Sequence, residues 1–138
     1  MEQLAVEIVG LCREYGECRV EVERMEEARR VKNALESVCA MARQRLDISD
    51  PALLLALLDA YEVTRDEGML QEVLDVVGRN LDRLAVSAES VKLLACCYYY
   101  VEEEECVERA GRMLEELRKM GRGEEELADV ETILEELT

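Results

Sequence analysis

Apolar residues recur along this chain at alternating steps of three and four, with polar residues filling the positions between them. From Glu2 to Tyr15 the stripe is Leu4, Ile8, Leu11 and Tyr15, joined by Ala5, Val9 and Cys12, which places one broad face of a helix against a core. Gly16 is positioned to end this helix as a C-terminal glycine cap. Cys18 to Glu23 alternates like a strand, but Cys18, Val22, Met25 and Ala28 also fit a helical stripe. That stripe runs on through Val31, Leu35, Val38 and Ala42, so the pattern predicts one long second helix reaching about Leu46. Asp50 and Pro51 supply a cap and a first-turn proline for a third helix, ending near Thr64. Its Leu53, Leu54, Leu55, Leu57 and Leu58 are apolar almost all round, which puts this helix inside the assembly. A fourth helix is expected from roughly Glu67 to Leu84 on Leu70, Val73, Leu74, Val77 and Leu81. Ser87 caps a fifth, Ala88 to Val101, and a sixth runs from Glu103 to Met120 on Val107, Ala110, Leu114 and Leu117. Gly121, Arg122 and Gly123 interrupt the pattern before Leu127, Val130, Leu134 and Leu137 mark a last helix.

The third, fifth and last helices start near residues 51, 88 and 124, a spacing close to 36 or 37 residues. Superposing Tyr61 on Tyr98 puts Leu54 over Val91, Leu57 over Leu94, Leu70 over Val107 and Val77 over Leu114. The pattern resembles a degenerate tetratricopeptide array covering nearly the whole chain. That resemblance implies an all-α fold of about seven antiparallel helices: three helical hairpins and a C-terminal capping helix in a right-handed array. It also implies that the first helix of each hairpin lines a concave face. The chain departs from the family where Leu58, Leu70 and Val107 occupy positions that favour small residues. Only Ala95 fits, and the prolines near the hairpin ends are missing. No peptide-clamp residues carry over, and a compact antiparallel helical bundle would satisfy the same stripes.

Composition narrows the fold further. A chain of 138 residues suits a single domain over 1–138 that can bury a real core. Phe and Trp are absent, so the interior must be Leu, Val, Ala, Met, Cys and Tyr, and with one Pro and seven Gly a turn-rich sheet is disfavoured. The net charge of −16 repels phosphate backbones and anionic headgroups, which disfavours nucleic acid and membrane partners. A basic protein, a peptide or a cation would be attracted, although an acidic shell also serves solubility alone. Arg heavily outnumbers Lys and amides are few, which points to a thermophilic, archaeal source. Met1-Glu2-Gln3 lacks the basic leader of an export signal, and the apolar run from Ala52 to Leu58 is too short to span a bilayer. A cytoplasmic location is expected.

Few residues offer chemistry. The six cysteines read first as free core thiols. Two pairs keep a bridge open, Cys12 with Cys18 around Gly16 and Cys97 with Cys106 around Glu103, since hyperthermophilic archaea tolerate intracellular disulfides. The Glu102 to Glu105 run is suited to Mg²⁺ or Ca²⁺, but acids also belong in the first turn of a helix and bases in the last. Glu124 to Glu126 open the last helix. Arg43 and Arg45, Arg79 and Arg83, and Arg118 and Lys119 close others. Four-residue spacing pairs Glu105 with Arg109, Glu108 with Arg112 and Glu115 with Lys119. There is no His and no zinc-type cysteine pair, and the adjacent Cys96 and Cys97 point about 100° apart on a helix. Without His, a phosphate-binding glycine loop or a nucleophile elbow, neither catalysis nor a cofactor or metal is expected.

The tyrosines Tyr98, Tyr99 and Tyr100 cannot all face one core, because each helical step turns by about 100°. Tyr98 shares a stripe with Val91, Leu94 and Val101 and should be buried, while Tyr100 joins Leu93 and Cys97. Tyr99 lies on the polar side, as an aromatic anchor suited to a partner. The expected function is a non-enzymatic helical scaffold or adaptor that binds a protein, a peptide or its own copy along helices one, three and five. Asp59, Glu62, Lys92 and Tyr99 are the candidate contact residues. Two alternatives stand beside it: a metal-dependent enzyme or sensor using Glu102 to Glu105 with a nearby cysteine, and an obligate homo-oligomeric bundle.

Overall fold

The computed structural model describes residues 2–121 and 124–137. The described residues form seven α-helices: α1 (Glu2–Cys18), α2 (Met25–Arg43), α3 (Pro51–Thr64), α4 (Glu67–Arg79), α5 (Ala88–Val101), α6 (Glu104–Lys119) and α7 (Glu124–Leu137). Single 3₁₀ turns at Val22–Arg24 and Leu81–Arg83 are the remaining helical segments, and no strand occurs among the described residues. None of the described helices is long and apolar enough to cross a membrane.

The helix ends are set by local chemistry. The Asp50 carboxylate accepts the Leu53 N–H at 3.3 Å, with Pro51 fixing the first turn of α3. Asp66 accepts from Met69 N at 3.1 Å to start α4, and Ser87 accepts from Ser90 N at 3.1 Å to start α5. Both α3 and α5 stop on a left-handed residue that is not glycine, Arg65 (φ 55°) and Glu102 (φ 51°). The amide of each closes the helix, on Tyr61 O at 2.8 Å and on Tyr98 O at 2.7 Å. The caps Asp50 and Ser87 stand 37 residues apart, as do the stops Arg65 and Glu102 and the following caps Asp66 and Glu103. Buried pairs keep the same interval: Leu54 and Val91, Leu57 and Leu94, Ala60 and Cys97, Met69 and Cys106, Val73 and Ala110, Val77 and Leu114.

Packing follows the chain. Helix α1 lies against α2 and α3, α3 against α4 and α5, and α5 against α6 and α7, while α2 also meets α3 and α6 meets α7. The odd-numbered helices thus neighbour one another in chain order. One connected core runs from Leu4 to Leu134, and α3 and α5 supply its centre through Leu53, Leu54, Leu57, Leu93 and Leu94. Each such leucine, fully removed from water, contributes about 2 kcal/mol.

Several boundaries depart from the periodicity. Gly16 does not stop α1; it keeps a helical backbone, and the helix runs on to Cys18. The chain breaks where Glu21 turns extended (φ −113°, ψ 121°), so α2 starts at Met25 and ends at Arg43, short of Leu46. Helix α4 ends at Arg79, because Asn80 leaves the helical region and its side-chain amide donates to Val76 O at 2.7 Å. Within the core, Cys39, Met69, Cys106 and Met113 are buried, whereas Val38, Leu70, Leu74 and Val107 are half-buried. Leu134 is buried; Arg122 and Gly123 and the side chains of Leu127, Val130 and Leu137 lie outside the described residues.

Candidate functional site: a groove between the first and third helices

A groove of about 420 Å³ opens between α1 and α3. Ala5, Val6, Val9 and Gly10 line it from α1, and Ala52, Leu55 and Ala56 from α3, with Arg13, Asp59 and Glu89 at its rim. Steps of three and four put each set on one helical stripe. The core side of α1 is filled by Leu4, Ala5 and Ile8, which leaves Val9 (39 % exposed) and Val6 (71 %) to face the groove. Val9 therefore belongs to this surface and not to the buried stripe. A Cβ on Gly10 would meet no atom within 4 Å, so this glycine keeps the groove open and does not serve a tight helix contact.

The rim is electrostatically unbalanced. Asp59 is exposed yet partly enclosed, and burial together with the nearby Glu62 pushes its carboxyl above the usual range. No ion pair engages Asp59 among the described residues. Its charge acts on both Cys12 of α1 and Cys96 of α5. Burial first, and Asp59 second, raise each thiol to about 11. Cys12, Asp59 and Cys96 thus form a row across three neighbouring helices.

Glu62, one turn further along α3, is already engaged. The Tyr100 hydroxyl donates to its Oε1 at 2.5 Å, and Arg65 lies 3.5 Å from Oε2. Tyr100 packs edge-on against Tyr61 (centroids 5.6 Å) and against Tyr99 (5.2 Å), and Tyr61 donates to Glu67 at 2.5 Å under the Arg65 guanidinium. Burial, followed by the Glu62 bond, raises the Tyr100 hydroxyl above its ordinary range. Of the expected contact residues, Asp59 lines the groove, whereas Tyr99 is 68 % exposed on α5 and is not among the lining residues. Lys92 is half-buried, and Glu62 links α3 to α5. Tyr98 is half-buried and not fully enclosed. Val6, Gly10, Leu55 and Glu89 were not among the expected residues, because periodicity marks an apolar face without telling whether a neighbour covers it.

The other chemical expectations resolve differently. Cys12 and Cys18 sit on the same continuous α1, so about 9 Å of helical rise separates their Cα atoms and no bridge between them can close. Cys97 and Cys106 are buried free thiols, and Cys97 is raised by burial and then by Cys106. Glu102 is the left-handed stop of α5 and Glu104 and Glu105 fill the first turn of α6. No cluster of three metal-ligating side chains occurs among the described residues. The expected pair of Glu105 with Arg109 does not form. Arg109 instead donates to the carbonyls of Leu81 and Leu84 at 3.3 and 3.4 Å, satisfying the turn after α4. Glu108 with Arg112 and Glu115 with Lys119 are likewise absent from the ion pairs of the described residues.

The fold and this surface define an all-α protein with an open apolar groove and acidic residues on its rim. Comparison with family models, curated proteins and solved structures returns no match.

Proposed function

We propose that this chain is a non-enzymatic helical scaffold or adaptor that binds a protein or peptide on the face made by α1, α3 and α5. The observation that carries the reading is the groove itself: Val6 and Val9 are left facing water while Leu4, Ala5 and Ile8 of the same helix are buried. The 37-residue recurrence of caps and stops supports treating α3–α4 and α5–α6 as two copies of one repeat unit. The side-by-side order of α1, α3, α5 and α7 favours an extended array over a compact bundle. In such an array the odd-numbered helices share one ligand-facing side. Tyr99 extends that side as an aromatic anchor.

The test compares proteins retained on immobilised wild type with those retained on a Val6→Glu/Val9→Glu variant of unchanged circular dichroism. A partner held by wild type and lost by the variant is the expected result. Identical recovery by both overturns the assignment of this face.

A further inference from the structure

We infer that the α1/α3 groove takes an amphipathic helix from a basic partner, its apolar side chains filling the groove and its cations, two turns apart, meeting Asp59 and Glu89. The inference rests on the scaffold reading and adds the chemistry of the occupant. Its first support is Asp59, a carboxylate without an ion-pair partner among the described residues, partly enclosed and pressed further by Glu62. Such a group is satisfied by a cation brought in on an apolar frame. Arg13 lines the same groove, but it does not pair with Asp59.

The second support is spacing. The caps of α3 and α5 are 37 residues apart, so Ala52 and Asp59 of α3 correspond in register to Glu89 and Cys96 of α5. Glu89 lies seven residues before Cys96 and lines the groove with Ala52, itself seven residues before Asp59. Along the helix axes the two acids are therefore offset by about two turns, roughly 10 Å, from one end of the α3 lining to the other. A helix laid along the groove presents cations at i and i+7 and apolar residues at i+3 and i+4, a helix-in-groove arrangement. The groove walls are helical, so their backbone groups are already bonded and offer nothing to an added strand. Among the described residues no aromatic side chain lines the groove to receive a proline-rich segment. A second copy is disfavoured because each carries a charge of −16.

The full-length protein is titrated into a labelled helical peptide of about 16 residues with Lys at i and i+7 and Leu at i+3 and i+4. Fluorescence anisotropy follows binding, and the amide spectrum of the protein locates it. The expected result is binding that Asp59→Asn weakens about fivefold and that Gly10→Leu, which fills the open groove, abolishes. Asp59→Lys should restore affinity for a peptide whose matching Lys is Glu. Binding unaffected by Asp59→Asn, or spermine competing as well as the unlabelled peptide, overturns the inference. If only neutral or acidic peptides bind and Gly10→Leu blocks them, the basic helix is wrong while the scaffold reading stands. If no peptide of any charge perturbs the α1 and α3 amides, both fall.

Discussion

At the scale of single residues, the thiols are graded by burial and not by bonding. Cys12 and Cys96 are half-buried, whereas Cys18, Cys39, Cys97 and Cys106 are buried, and all six are pushed up in the fold, Cys39 to about 12. Native alkylation followed by mass spectrometry should label Cys12 and Cys96 first; uniform labelling of all six would contradict this packing. The same shifts set a pH dependence. A thiol raised above its unfolded value, about 8.5, keeps its full contribution to stability below that pH. It loses that contribution as pH climbs toward the folded values near 11 and 12. The urea midpoint should therefore hold steady from neutrality to about pH 8 and fall between pH 9 and 11. On the acid side, the Arg43 bond holds the Glu72 carboxyl below its usual range. Its contribution is present above the unfolded carboxylate value of about 4.3 and is lost as pH falls through the lower folded one. Arg43 also bonds Asp66 at 2.9 Å and thereby ties the end of α2 to the start of α4. Arg43→Ala should cost about 1 kcal/mol in equilibrium unfolding, with the loss shrinking in high salt.

Among the elements, what the sequence makes legible depends on whether a side chain encodes the boundary. Helices α3 and α5 have the limits expected of them, because Asp50, Pro51 and Ser87 act through specific hydrogen bonds or a fixed φ. The α1–α2 junction was not legible. Its break depends on the extended backbone of Glu21, which carries no side-chain cap, while Gly16 misleads by looking like a stop. The groove escaped for a related reason: Val9 fits a buried stripe and a solvent-facing one equally well. Gly16→Ala discriminates the two readings of α1. With open space around it and a helical φ, alanine should raise stability by about 0.5–1 kcal/mol, whereas a glycine cap would make the change destabilising. Asp50→Ala should cost about 1 kcal/mol by removing the α3 cap. Asp50→Ser should cost less, because it keeps an acceptor and removes Oδ2, a buried oxygen without a hydrogen-bond partner among the described residues.

For the molecule as a whole, the acids are spread over helix starts and exposed faces, and six exposed or partly exposed ion pairs among the described residues leave most of the 33 carboxylates without a salt bridge, beyond the 16 that no base in the chain could match. Mutual repulsion of the remainder should make the melting temperature rise with sodium chloride. The stops at Arg65 and Glu102 have a different bearing. Each adopts a left-handed conformation unfavourable to a side chain by roughly 1 kcal/mol, and each does so just before a helix start that is 37 residues from its counterpart. At each junction the left-handed residue donates its amide back to the helix it ends, and the next residue already stands at the cap position of the following helix. Segment 51–87 follows one cap, Asp50, and ends on another, Ser87, so an extra copy spliced in after Ser87 starts on a serine cap, carries its own stop at Arg65 and passes a serine cap on to α5. On the proposed repeat reading, such a lengthened chain is expected to melt in one cooperative transition with an unchanged helical fraction.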